Sequence, residues 1–356
     1  SVFSNMVAHR NHEAGHPVPD EAGVAGAEAI LGCVRGLQPN DLVLVLISGG
    51  GSALTPAPVE GVSLAELQSL TNTLLACGAD IYEINTLRKH LETLKGGGLA
   101  RLAAPAKIIS LVLSDVIGDP LEVIASGPTV PDPTTFDDAW RILERYHLLD
   151  QTPPAICRHL ERGMQGLVAD TPKPGDAIFA GATNVIIGSN LLAAQAALEQ
   201  AKNSGFNPLL LTTSLQGEAR QAGRFLAALA RQIAASGQPV SRPACLVAGG
   251  ETTVTLHGDG LGGRNQELAL GAVADLAGLK DILLVSLATD GGDGPTDAAG
   301  AVVSGATLQR ARQAGLQVGD FLDRNDAYHF FAALEDLLKP GPTMTNVNDL
   351  TFIFAF

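Results

Sequence analysis

Residues 42–53 read LVLVLISGGGSA: six leucine or β-branched side chains, then Ser48, Gly49, Gly50, Gly51 and Ser52 before a helical pattern begins. A run that short, bounded by turn residues, predicts a buried strand feeding a tight strand-to-helix turn, as in a parallel sheet with crossover helices. The same form recurs in IISLVLSD at 108–115, NVIIGSN at 184–190, PLLLTT at 208–213, PACLVAGGE at 243–251 and ILLVSLATDG at 282–291. Between the first two runs, Leu64, Leu67, Leu70, Leu74 and Leu75, then Ile81, Ile84, Leu87, Leu91 and Leu94, keep the spacing of an apolar helix face. All of these positions are expected in the core. The segment DTPKPGD, Asp170 to Asp176, carries two prolines and a glycine between two α/β stretches and is the expected linker. With a boundary near residue 175, the sequence predicts two α/β domains, 1–175 and 176–356, each with a mainly parallel sheet, and a cleft between them.

A length of 356 residues agrees with two domains, and 46% hydrophobic against 17% charged residues excludes a disordered chain. Subtracting 37 acidic from 23 basic side chains leaves a charge of −14, which repels nucleic acid and anionic membrane surfaces alike. The cysteines Cys33, Cys77, Cys157 and Cys245 form no C-x-x-C pair and are too sparse for a secreted disulfide scaffold, so a reducing, cytoplasmic setting is expected. No apolar run approaches a membrane span, and no secretory leader opens the chain. Residues 1–12 show no periodicity and begin at Ser1, as expected of a trimmed chain.

Ligands of open α/β sheets bind beyond the carboxyl ends of strands, where loops converge. At the first such end, Ser48 through Ser52 offer N–H groups and hydroxyls to a phosphate or carboxylate; a turn that binds nothing is the plain alternative. Arg88-Lys89-His90 and Lys95-Gly96-Gly97-Gly98 concentrate positive charge in an acidic chain, which suits an anionic ligand, or equally the capping of a helix C-terminus. Asp115 and Asp119 follow the second strand run, where a carboxylate can hold Mg²⁺ or accept a hydroxyl proton, or simply cap a turn. Asn190, at the end of the third run, joins the substrate- and phosphate-binding set.

In the second half, Gly249-Gly250-Glu251 ends a strand and TVTL is expected to pair antiparallel with it. Gly258-Asp259-Gly260-Leu261-Gly262-Gly263 then leads into Arg264-Asn265-Gln266-Glu267 and an apolar helix. The glycines satisfy G-x-G-x-x-G, and Asp281 lies 18 residues beyond Gly263, so a dinucleotide fingerprint is one reading. An anion-binding loop whose guanidinium serves a transferring phosphoryl group or a substrate carboxylate is the preferred one, with Gly262, Gly263, Asn265 and Glu267 lining it and Arg264 as the leading catalytic candidate; an interdomain salt bridge is its plain alternative. Asp290, Asp293 and Asp297 crowd the loop after the last strong strand, which suits a divalent cation or a ribose, or equally a solvated acidic turn; Asp290 and Asp293 are the expected metal ligands, although the spacing is not that of an EF-hand. His9, His12 and His16 form a loose trio more in keeping with surface side chains than with a metal site. P-loop, protein-kinase, G-x-S-x-G and H-E-x-x-H signatures do not occur.

Taken together, EAGHPVPDEAG, LISGGGSAL, RKHLETLKGGGLA, LSDVIGDPLEVIASGPT, TPKPGD, GGETTVT, GGRNQE, TDGGDGPTDAAGA and GPTMTNVNDL resemble, in order, the class II glycerate 2-kinase family with its C-terminal MOFRL domain. The likeness spans roughly residues 13–350. It implies two Rossmann-like domains with an interdomain active site, and ATP-dependent phosphorylation of D-glycerate at the 2-hydroxyl with Mg²⁺. Arg264 stands at the family's candidate catalytic arginine. In this scheme Lys95 contacts an anion and Asp115 the hydroxyl or a metal. The family's early Gly-Ala-Gly-Lys segment has no counterpart in residues 1–40, and its lysine is expected in a segment upstream of Ser1. A nicotinamide-dependent hydroxypyruvate reductase and a non-catalytic ligand-binding relative are the rival readings. The partners expected are D-glycerate and ATP, with no nucleic acid and no membrane; a homodimer is compatible with the sequence.

Overall fold

The computed structural model describes residues 12–15 and 18–356, so His9 and His16 of the early histidine trio lie outside the described residues. The chain divides into two compact units: one runs to Val112 and resumes over Pro120–Ile187, and the other joins Leu113–Asp119 to Gly188–Phe356. The proline-bearing segment at 170–176 lies inside the first unit.

All six quoted runs form strands. In the first unit β1 (Leu42–Ile47), β2 (Lys107–Leu113) and β3 (Ala182–Gly188) make a three-stranded sheet in that order, with β1 and β2 parallel. Val43 and Val45 turn toward a core that includes Ala27, Val34, Leu99 and Ile108. Leu42, Leu44 and Leu46, on the opposite face, stay 58–72% exposed. The expectation of fully buried strands is therefore corrected for β1. Successive side chains point to opposite faces of a strand, and an all-apolar run does not say whether both are covered. A second core, built mostly by helices, joins Leu67, Leu70 and Leu74 of the helix Leu64–Cys77 to Ile84, Leu87 and Leu91 of the helix Ile81–Leu91 and to Phe136, Ile156 and Leu160. Each helix begins with a capping box, Ser63 with Glu66 and Asp80 with Glu83, which satisfies N–H groups that the first turn leaves without partners. Leu75 and Ile81, expected in this core, are exposed instead.

The second unit carries β4 (Asn207–Leu215), β5 (Ala244–Gly250), β6 (Ile282–Ala288), β7 (Gly300–Ser304), β8 (Leu337–Leu338) and β9 (Asp349–Ala355) in the order β4-β5-β9-β6-β7-β8. Only β4 and β5 pair parallel; β9 runs antiparallel to β5 on one side and β6 on the other, and β7 and β8 extend the antiparallel part. The expected mainly parallel sheet is thus a mixed one. TVTL forms no strand: the antiparallel partner of CLVAGG is β9, more than ninety residues further along by sequence number. Every residue of β5 is buried. The helices Ala219–Ser236 and Arg264–Leu276 pack through Leu226, Ile233, Leu268, Val273 and Leu276 on the core that also takes Leu246, Leu284 and Ile353.

Candidate active site

The antiparallel insertion of β9 brings a charged cluster together in the second unit. Asp349 opens β9 opposite Gly250, the last residue of β5, and Glu251 follows directly. Two carboxylates far apart in sequence therefore share one end of the sheet, where β5 stops and β9 begins. Arg264, the first residue of its helix, joins them. Its Nε donates to Asp349 Oδ2 at 2.6 Å, its Nη2 to Asp349 Oδ1 at 3.0 Å, and its Nη1 to Glu251 Oε1 at 2.8 Å. The two bonds to Asp349 form the bidentate fork that only a guanidinium makes. Burial works against the charge of Arg264, but the hydrogen bonds and charge of Asp349, with the charges of Glu251 and Asp293, raise its pKa above the ordinary arginine value. Glu251 is also pushed up, first by burial and then by the charges of Asp349 and Asp115, with Arg264 opposing them. Asp115 thus sits in the second unit, within electrostatic reach of Glu251. A small pocket beside Asp349 is lined by Gly250, Thr252, Asn265 and Thr351.

Several predicted binding residues turn inward. Asn190 is buried; its Nδ2 donates to the carbonyls of Val347 at 2.8 Å and Asp349 at 2.9 Å, so it holds the strand that presents Asp349 rather than a substrate. Its Oδ1 lies against Gly249, where any Cβ would overlap it. Asp293, expected to bind a metal, accepts from Asn265 N at 3.1 Å and from Gln266 N at 2.9 Å. The anion at this helix N-terminus is accordingly the chain's own carboxylate. Burial pushes Asp293 up, and these backbone N–H bonds pull it back. Asn265 accepts from Ser286 Oγ at 2.7 Å. Glu267 pairs with Arg220 at 2.5 Å, and burial raises its carboxyl against the pull of that arginine.

The glycine loop ahead of Arg264 is likewise engaged within the unit. His257 and Gly258 donate to Asn325 Oδ1, Gly260 donates to the Arg324 carbonyl, and Leu261 donates to Asp326 Oδ1. Gly262 and Gly263 pack on Ala327 and Asp293. The loop follows no strand, which removes the structural context that a dinucleotide fingerprint requires. Asp290 is exposed and accepts from Gly292 N, while Asp297 pairs with Lys339. The three aspartates of this loop go three ways. Among the described residues no group of three or more His, Cys, Asp and Glu stands where a metal ion would be held.

In the first unit the cationic cluster sorts itself by partner. Lys95, expected to contact an anion, is buried with Nζ 2.6 Å from Glu92 Oε2; burial lowers its pKa and Glu92 opposes the shift. Lys89 pairs with Asp132 at 3.2 Å, and His90 with Asp170 at 3.0 Å. Burial pushes the Asp170 carboxyl up, yet hydrogen bonds from His90, Lys173 and Thr171 outweigh it and hold the group at about 2. Arg88 donates to Ser52 Oγ at 3.2 Å. Gly50, in the left-handed conformation, opens the short helix Gly51–Leu54 after the Ser48-Gly49 turn. No helix among the described residues is long and apolar enough to cross a membrane.

Comparison with known proteins gives this two-part architecture a class. Residues 4–161 match the family described as a domain of unknown function, DUF4147, and residues 244–349 match the MOFRL family. The glycerate 2-kinase of Pyrococcus horikoshii is 46% identical over 339 residues, 95% of this chain and 76% of that protein. A relative from Agrobacterium vitis named as a hydroxypyruvate reductase is 44% identical over 344 residues, 96% of this chain and 76% of its own. The crystal structure of a glycerate kinase from Thermotoga maritima superposes with a TM-score of 0.90 at 45% identity, covering 96% of this chain and 80% of that one. The chain belongs to the glycerate 2-kinase family.

Proposed function

We propose that this protein transfers the γ-phosphoryl group of ATP to the 2-hydroxyl of D-glycerate, giving 2-phosphoglycerate and ADP, with Mg²⁺ entering as the counter-ion of the nucleotide. The observation that carries the chemistry is the grip on Arg264. Three of the five guanidinium N–H donors are taken by Asp349 and Glu251, which fixes the plane of the group and leaves two donors for a ligand. Phosphoryl transfer passes through a loose transition state with charge spread over the equatorial oxygens, so positioning and charge neutralisation supply most of the catalysis. A fixed arginine suits that task. Asp115, in the same unit, is the candidate to accept the 2-hydroxyl proton or, with Glu251, to meet the cation on the phosphates. Burial raises the pKa of Glu251 first, and the charges of Asp349 and Asp115 add to it against Arg264; a divalent cation beside these carboxylates would offset all three contributions. Asp290 and Asp293 are not brought together for that purpose.

The test runs two assays side by side on the purified protein: D-glycerate with MgATP, followed by ADP release, and hydroxypyruvate with NADH, followed by loss of reduced nicotinamide. ADP release dependent on glycerate is the expected result. NADH oxidation without it would transfer the assignment to the reductase named among the relatives, and binding of ATP and glycerate without turnover would make the protein a ligand-binding relative.

A further inference from the structure

Four basic side chains cluster around the helix Ile81–Leu91 and the turn after it, and three of them have carboxylate partners: Lys89 has Asp132, His90 has Asp170, and Lys95 has Glu92. Arg88 differs. Among the described residues no carboxylate lies within ion-pairing distance of it, and its side chain makes one hydrogen bond, to Ser52 Oγ. Glu92, one turn along, is held by Lys95 and the Ala57 N–H. Burial accordingly lowers the pKa of Arg88, with only the more distant charge of Glu92 acting against it. A half-buried cation with no counter-ion among the described residues is an expensive arrangement beside neighbours that are each paired.

The surroundings fix Arg88 in place. Ser126 Oγ donates to Asn85 Oδ1 at 2.9 Å, which uses its only hydrogen, so in the 2.8 Å contact between the two serines Ser52 is the donor. The chain of bonds therefore runs one way, from Arg88 to Ser52 to Ser126 to Asn85. Ala125, Ser126 and Gly127 all have positive φ, at 50°, 59° and 62°, a costly backbone for the first two, and Ala125 packs against Gly51 of the glycine turn. One strained turn and one polarised relay thus set the guanidinium beside Gly51 and Ser52, and among the described residues one of its five N–H donors is engaged.

We infer that Arg88, seated by Ser52 and Ser126, is a substrate-binding and specificity residue that takes the carboxylate of the three-carbon hydroxy acid. The inference rests on the kinase reading and names the group that meets the acid. Phosphate oxygens share the required oxyanion chemistry, but they arrive with Mg²⁺, and the carboxylate-rich sheet end around Arg264 accepts a metal-borne anion. That end repels a bare carboxylate, which Arg88 attracts.

The experiment measures calorimetric binding of D-glycerate and of its uncharged amide, together with steady-state KM for glycerate and for MgATP, in the wild type, R88Q, R88K and S52A. For R88Q the expected result is weaker glycerate binding and a higher glycerate KM, by about ten- to a hundredfold, the KM for ATP within about twofold, and lost preference for glycerate over the amide. R88K keeps the charge and the fold but not the fork, and falls between. S52A, which removes the bond that seats the guanidinium, gives a smaller loss of the same kind. Unchanged glycerate binding in R88Q and R88K overturns the inference, as does a rise confined to the KM for ATP, which would assign the site to phosphate. A wild type that binds glycerate without turning it over defeats the kinase reading alone, since the calorimetric arm still decides the role of Arg88.

Discussion

Arg88 and Arg264 are both partly buried guanidiniums, each in its own unit, and their surroundings differ in one respect. Arg264 is forked by Asp349 and braced by Glu251; Arg88 touches a serine hydroxyl. The consequence is opposite in sign: burial prevails at Arg88 and lowers its pKa, whereas the carboxylates prevail at Arg264 and raise it. A cation already neutralised by the protein serves by geometry and responds to charge that appears during reaction. A cation left without a counter-ion serves by attraction and binds an anion in the ground state. The first kind of residue is read in kcat and the second in KM.

The largest expected effect breaks the first half of this contrast. R264A should lower kcat/KM by about a thousandfold, mostly through kcat, while circular dichroism shows the chain still folded. Near-normal turnover would remove Arg264 from the mechanism. D349N sharpens the contrast by keeping the arginine and weakening its fork; kcat should fall about ten- to a hundredfold with a smaller change in the KM for glycerate. A variant as active as the wild type would show that the fork does not position the charge. G249A acts further back, by forcing a Cβ onto Asn190 and disturbing the strand that presents Asp349. Thermal unfolding should report a loss of about 1–3 kcal/mol, and an unchanged melting temperature would contradict the packing described.

The smallest effect concerns a paired carboxylate of the first unit. Asp170 is held at about 2 in the folded chain against an ordinary 3.8, so its pairing contributes stability that is present above pH 4 and lost as the pH falls through 2. D170N should therefore be less stable than the wild type at neutral pH, with the difference closing between pH 4 and 2. A difference independent of pH would separate the loss from the ionisation of this carboxyl.

The six strand runs were legible because short apolar segments ending in glycine and hydroxyl residues carry a local signal. What they could not carry was pairing. Nothing in FIFAF at 352–356 tells which strands lie beside it, since register is set by contacts between distant segments, and so the antiparallel place of β9 was not readable. The same gap hid the partners of Arg264. Glu251 and Asp349 lay within noticed motifs, but only the pairing of Gly250 with Asp349 brings them to one end of the sheet. The cationic cluster was visible as a cluster. Which member lacked a counter-ion among the described residues depended on where Asp132, Asp170 and Glu92 folded; Lys95, read as an anion contact, is buried against Glu92. The glycine fingerprint at 258–263 shows the reverse error, a pattern whose N–H groups are engaged by residues 324–326.

The most direct test of the central claim is single-turnover phosphoryl transfer by R264A with D-glycerate and MgATP both saturating. The account predicts binding of both ligands close to that of the wild type and transfer slowed by about a thousandfold. Transfer at the wild-type rate, or a defect abolished simply by raising ligand concentration, would contradict it.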